Sequence, residues 1–270
     1  MSQSAQPDPA RLAAWLTELV GAPVVVEELR APDAGMSNTT MLVDARVDGA
    51  LCKLVVKLLS PASVVYRFDP VREAAVLGYL REAGTPVPTI VGMEPTGKRL
   101  GRPAVAMERV DGRSPPDVGV LGYVAGGWVT ELPPEQRRAV CEAYVDALAA
   151  MHNRTSGRPC PAATHGDGTV SAMVAHWREG LLDALRGEPA PRQLAALDWL
   201  AREAPSQSAV TPALCMVDAR LQNAIYDGDR VAALIDFEIA QIGNAKAATA
   251  SGESLERRNN NGITPPTVEK

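Results

Sequence analysis

The chain has 270 residues, an apolar fraction of 46%, a charged fraction of 22% and a net charge of −5. That length can bury one substantial core or two modest lobes, and the composition is that of a globular protein. An acidic balance without a strongly basic run argues against nucleic acid as a partner, and no uninterrupted apolar run is long enough to span a bilayer. The N-terminal MSQSAQPDPA has no apolar segment of the kind that directs secretion. Cys52, Cys141, Cys160 and Cys215 show no CxxC or metal-ligand spacing and read as reduced packing residues of a cytoplasmic protein. Three histidines argue against a histidine-built metal site.

In chain order, the first helix is marked by Asp8 as its cap and Pro9 in its first turn, with Gly21 as its stop. Leu12, Trp15, Leu16 and Leu19 supply its apolar face. Strand patterns follow over Val24 to Leu29, Thr39 to Val47 and Leu51 to Leu58, the last two joined by Asp48-Gly49. Between the first two lies Ala34-Gly35-Met36-Ser37-Asn38. Such small and polar residues let backbone amides approach a phosphate, or they form an ordinary hairpin loop. Lys57 ends an alternating run and reads either as an edge lysine with its head in water or as a phosphate-binding lysine paired with a carboxylate. The candidate partner is Glu73, in the helix pattern VREAAVLGYLREAG, where Val76, Leu77 and Leu80 form the buried stripe and Gly84 the stop. By itself, Glu73 is a solvated acid of a first helical turn.

Pro86-Val87-Pro88 forces extended chain, and Arg102 to Val110 reads as a buried strand. Asp111-Gly112 and Pro115-Pro116 make a loop, which places a lobe boundary near Asp111. Beyond it the spacing predicts helices over Glu135 to Asn153 (Val140, Tyr144, Leu148 and Met151 inward), Met173 to Arg186 (Met173, Trp177, Leu181 and Leu185) and Arg192 to Glu203 (Leu194, Leu197 and Leu200). His152 is expected to pack or to cap.

The stretch from Leu214 to Glu238, LCMVDARLQNAIYDGDRVAALIDFE, carries the chemistry. It reads as an apolar segment (Ala213 to Val217), a polar loop, a strand (Ala224 to Tyr226), a turn at Asp227-Gly228 with both residues at positive φ, and a second strand (Arg230 to Ile235). A hairpin brings the ends of these runs together, so Asp218, Asn223 and Asp236 can converge. One carboxylate to accept a proton, with an amide and a second carboxylate to hold a hard cation, is what phosphoryl transfer from Mg-ATP requires. The alternative is that Asp218, Asn223 and Asp227 are ordinary loop and turn residues.

This stretch resembles the catalytic and metal-binding segment of the aminoglycoside phosphotransferase and choline kinase family, which shares its fold with protein kinases. The family pattern is His-Gly-Asp, four residues, Asn, a strand-turn-strand and Asp-x-Glu. Asp218, Asn223, Asp236 and Glu238 fit it in order, whereas Met216-Val217 replace His-Gly. The resemblance implies an α+β, protein-kinase-like two-lobe fold, with an N-terminal antiparallel sheet lobe (1–110) and a helical C-terminal lobe (111–243), while the composition of 244–270 is that of a disordered tail. It also implies transfer of the γ-phosphoryl group of ATP, with Mg2+, to a hydroxyl of a small molecule. Asp218 would be the catalytic base, with Asn223 and Asp236 as metal ligands. Gly35, Ser37 and Asn38 would cover the nucleotide, Lys57 and Glu73 would hold its phosphates, and backbone groups of Glu108 and Val110, in a hinge-like Met107-Glu108-Arg109-Val110, would meet the adenine edge. Glu238 would stand one layer further out.

His165-Gly166-Asp167 matches the missing triplet literally, but Ala172 rather than Asn lies five residues on and a helix follows, so Asp167 is read as noncatalytic. After Gly243 the family continues through helices, whereas NAKAATASGESLERRNNNGITPPTVEK has scarcely any large apolar residues, and disorder is expected. The resemblance thus spans roughly residues 10 to 243, as a truncated or frame-altered reading frame would. A lobe left uncovered there would favour self-association. The rival readings are a pseudokinase-like nucleotide-binding protein without catalysis and a degraded, inactive fragment.

Overall fold

The computed structural model describes residues 7–31, 39–59, 69–116, 126–166, 169–203 and 211–243. Gly35, Ser37, Asn38, Asp167 and the tail 244–270, with what the sequence suggests for them, lie outside the described residues.

Helix α1 (Pro9–Val20) begins and ends as its punctuation dictates: the Asp8 carboxylate accepts the Ala10 N–H at 2.9 Å, and Gly21 closes the helix at φ +73°. Strands β1 (Val24–Arg30), β2 (Thr39–Val47), β3 (Ala50–Leu58), β4 (Ile90–Glu94) and β5 (Ala104–Glu108) form one antiparallel sheet in the order β1-β2-β3-β5-β4. The β2–β3 loop is Asp48-Gly49, with Val47 paired to Ala50 and both loop residues at positive φ (49° and 83°). That is the two-residue hairpin whose twist matches the strands it joins. Strand β4 has little sequence signal, because a register shift between Ile90 and Gly92 interrupts its alternation. Gly92 itself is there for closeness: a Cβ would stand 2.5 Å from the Leu19 side chain of α1.

The two-residue period of β3 decides what each face meets. Leu54, Val56 and Leu58 join Leu12, Trp15, Leu16 and the inward residues of β2 in a first core. Val55 packs against a second core on the opposite face, the face on which Lys57 also lies. Helix α2 (Pro70–Glu82) covers that face with Ala74, Val76, Leu77 and Leu80. The second core continues from α2 through α3 (Trp128–Glu131), α4 (Pro134–Thr155) and the strands that follow, as far as Ala240.

Helices α5 (Val170–Leu185) and α6 (Pro191–Arg202) form at the expected places, with Thr169 accepting the Ala172 N–H as the cap of α5. Their burial departs from the expected stripes. On α5 only Val174 and Gly180 are fully buried, and α6 has no fully buried residue, with Trp199 and Leu200 exposed. The two helices pack on each other and share the Arg178–Asp198 ion pair, so Leu194 and Leu197 are only half-buried. Beyond them run β6 (Ala213–Cys215), β7 (Ala224–Asp227), β8 (Arg230–Leu234) and β9 (Gln241–Gly243), with β7 paired to β8 and β6 to β9. Periodicity gave no sign of β9, whose three residues are too few to show alternation.

The β7–β8 turn differs from the sequence reading. Asp227 is a strand residue paired to Arg230, the loop is Gly228-Asp229, and only Gly228 of the pair takes positive φ (65°). A bulge between Ile225 and Tyr226 supplies the physical reason, since it shifts the register by one residue. All four cysteines are free thiols. Among the described residues no helix is long and apolar enough to cross a membrane.

Candidate active site

Lys57 lies at the end of β3 on the α2 face, and Glu73 lies in the first turn of α2, directly opposite. The lysine Nζ stands 2.8 Å from Glu73 Oε1, 3.2 Å from Asp236 Oδ1 and 3.2 Å from Glu238 Oε2. Glu73 is 2% exposed, so the reading of it as a solvated acid is overturned: α2 packs its first turn against the sheet. Burial works against the charge on Lys57, yet the carboxylates of Glu73, Asp236 and Glu238 outweigh it and hold the ammonium above its ordinary pKa. Glu238 is pushed up by burial first; Lys57 pulls the other way, and Asp236 and Glu73 add to the rise. Three carboxylates around one ammonium leave an excess of negative charge, and the Oε2 of Glu73 is buried without a hydrogen-bond partner among the described residues.

Asp236 leaves β8 at φ +68°, a conformation that Asp tolerates better than most side chains, and this turns it out of the strand direction. Ile235 N–H donates to Asn223 O at 3.0 Å, which ties the end of β8 to the loop before β7. In that loop Asn223 is buried, and its Nδ2 donates to Asp218 O at 2.8 Å and to Asp218 Oδ2 at 3.1 Å. The amide nitrogen being so committed, Oδ1 is the end of Asn223 that a cation can use. Asp218, 41% exposed at its side chain, also receives Arg220 Nε on Oδ2 at 3.0 Å.

Of the groupings expected from sequence, Lys57 meets Glu73 and Asn223 meets Asp218, whereas Asp236, expected to converge with Asp218 and Asn223, has its ion pair with Lys57. Glu108 ends β5, its N–H given to Thr89 O at 2.8 Å, and Val110 follows in the connection to the second half. Glu238, read as standing one layer out, touches Lys57 directly. Two residues escaped notice. Arg220 pairs with Asp218, and Arg72 donates to Glu238 O at 2.8 Å and to Ala240 O. The only signal for either was its place, two residues after Asp218 and one before Glu73. Beside this group, Asp69, Arg72, His165, His176, Trp177 and Glu238 are among the residues that line a cavity of about 280 Å³. Among the described residues, no cluster of three or more His, Cys, Asp or Glu is arranged to hold a metal. An oxygen set of one amide and one carboxylate, completed by water and phosphate, fits magnesium, which keeps much of its hydration.

Residues 28–245 match the model of APH, the phosphotransferase enzyme family. Among solved structures, the chain is similar to a candidate aminoglycoside phosphotransferase from Ralstonia eutropha JMP134, at 22% identity and a TM-score of 0.57, covering 90% of this chain and 68% of that one. It is also similar to a thermostable mutant of aminoglycoside phosphotransferase APH(4)-Ia in ternary complex with ADP and hygromycin B (15% identity, TM-score 0.59, 93% and 83% covered). A third is the streptomycin–ATP–APH(2″)-IIa ternary complex (16% identity, TM-score 0.54, 89% and 74% covered). These likenesses show the fold, an N-terminal antiparallel sheet with a helical part after it, as in the kinase-like phosphotransferases.

Proposed function

The chain belongs to the phosphotransferase enzyme family, and from that premise we propose that it moves the γ-phosphoryl group of ATP to a hydroxyl of a small molecule. The observation that carries this reading is the cluster of Lys57, Glu73 and Asp236. Glu73 fixes the ammonium of Lys57, which would bind phosphate oxygens. Asn223 and Asp236 would hold a magnesium ion, whose charge would offset that of the transferring phosphoryl group. The bonds of Asn223 and Arg220 both fall on Oδ2 of Asp218, so Oδ1 is the oxygen left to orient an acceptor hydroxyl and take its proton. The lobe boundary is placed near Asp111, with Glu108 and Val110 at the adenine edge. Two of the similar structures hold hygromycin B or streptomycin beside a nucleotide, and hydroxyl-bearing aminoglycosides are accordingly the first acceptors to try.

One observation favours a second reading, nucleotide binding without transfer: Arg220 already occupies one oxygen of Asp218. A single experiment separates the two. The protein is incubated with Mg-ATP and a pooled panel of aminoglycosides and hydroxyl metabolites, and products are read by mass spectrometry. A phosphorylated product that falls by about 10²–10⁴ in Asp218→Asn, with ATP binding kept, supports transfer. Mg-ATP binding without any phosphorylated product supports the second reading.

A further inference from the structure

The face of the sheet that carries Lys57 changes character along β2 and β3. Thr40 stands opposite Lys57, Leu42 opposite Val55 and Asp44 opposite Lys53 in the antiparallel register. Opposed side chains share a face, so all six lie on the Lys57 side. Leu42 and Val55, in the middle, are half-buried. Lys53 is four residues before Lys57, about 13 Å along the strand.

At that far end the chain leaving β5 is fastened to the sheet twice. Arg109 N–H donates to Lys53 O at 3.0 Å, which carries the β3–β5 pairing one residue further. The Arg109 side chain then crosses β3 and pairs with Asp44 on β2, Nη2 to Oδ1 at 2.7 Å. The two side chains are only 13% and 23% exposed. Nη1 of Arg109 is buried without a hydrogen-bond partner among the described residues, so the guanidinium leans on that one carboxylate. The adjacent pair Lys53–Asp111, at 3.4 Å, is exposed on both sides and is screened by water.

We propose that Asp44 is a positioning residue for the nucleotide base: through Arg109 it clips the Glu108–Val110 segment to the sheet before the nucleotide arrives. The assignment rests on the phosphotransferase reading for the place of the nucleotide, phosphates at Lys57 and base at Glu108 and Val110. A segment held in advance lowers the ordering cost of binding, and that gain falls on the base alone. Mg-ATP and magnesium tripolyphosphate, which has the phosphates and no base, therefore separate the clip from a general support of the fold. Their dissociation constants are measured by calorimetry on the full chain, with no acceptor present. Asp44→Asn, which keeps the shape and removes the charge, is expected to weaken Mg-ATP about tenfold and to leave tripolyphosphate unchanged. Asp44→Leu with Arg109→Met leaves no charge unpaired, covers the case in which the single variant unfolds, and should show the same split. Asp111→Asn should match wild type with both ligands.

An equal loss for the two ligands overturns the proposal, because Asp44 then supports the fold and not the base. Unchanged Mg-ATP binding in the variants overturns it too, as does a wild type that binds tripolyphosphate as well as Mg-ATP and so has no base site. A wild type that binds Mg-ATP and phosphorylates nothing ends the phosphotransferase reading, while the comparison of the two ligands still decides the role of Asp44.

Discussion

Lys57 brings three carboxylates from two elements to one point, and its removal separates binding from folding. Lys57→Ala leaves buried Glu73 unpaired, so the ligand-free protein should lose on the order of 3 kcal/mol. More tellingly, the stabilisation by Mg-ATP, about 2.7 kcal/mol for wild type at a hundred times Kd, should nearly vanish. Thermal melts with and without Mg-ATP read both; equal ligand-induced shifts in the two proteins would remove Lys57 from the phosphate site. Val217 makes the opposite kind of case. At φ +69° it is where only glycine is comfortable, and a β-branched residue there costs about 1–3 kcal/mol. Glycine gives part of that back through its freer unfolded chain. Val217→Gly should therefore raise stability by about 1 kcal/mol, measured by urea unfolding, and a loss of stability would show that the loop is not strained.

Helix α2 is the element that joins the two halves of the site. Its first turn presents Glu73 to β3, while Arg72, one residue earlier, holds the carbonyls of Glu238 and Ala240. Charge-assisted hydrogen bonds of this kind contribute about 1.5–3 kcal/mol each. Arg72→Met keeps the length of the stem and should cost about 2–3 kcal/mol. It should also quicken hydrogen exchange over residues 236–240 and weaken the magnesium-dependent part of ATP stabilisation, because Asp236 loses its anchorage. An exchange profile unchanged in that segment would mean that β9 pairing alone holds it. The periodicity of α2 was legible from Val76, Leu77 and Leu80. Its partner in space was not, since nothing in VREAAVLGYLREAG tells which sheet residue Glu73 will face.

For the molecule as a whole, two histidines set a direction with pH. His152 is buried in α4 and burial holds its pKa below the ordinary value. His165 stacks on His176 with ring centroids 3.9 Å apart, and burial, then the charges of His176 and Arg72, lower it to about 4. A histidine whose folded pKa is depressed binds fewer protons than in the unfolded chain near pH 6.5. Its contribution is present above that value and is lost as pH falls toward the folded pKa. Tm should therefore decline between about pH 6.5 and 4, and His165→Asn should flatten the decline. A Tm that rises over that interval would contradict the burial of both rings. The pairs Asp48-Gly49 and Asp8-Pro9 were read from sequence because the physics of a cap or a tight turn is local. The β7–β8 turn was misplaced by one residue because a bulge is settled by the partner strand.

What the sequence determined by itself is the place of the longer helices and strands, though not of α3, β4 or β9, and the chemistry they can carry. Alternation put Lys57 on one face of β3, a cap and a stop bounded α1, an apolar stripe with the Gly84 stop marked α2, and the spacing of Asp218, Asn223, Asp236 and Glu238 matched a phosphoryl-transfer segment. These signals survive in a single chain because each depends on residues a short way along it, the longest step being that from Asn223 to Asp236 across one hairpin. Only the tertiary structure decided that Glu73 is buried rather than solvated, that Glu238 reaches Lys57 and that Arg220 meets Asp218. Each of those depends on which elements pack together, and packing is set by total buried surface and hydrogen-bond satisfaction across residues far apart in sequence.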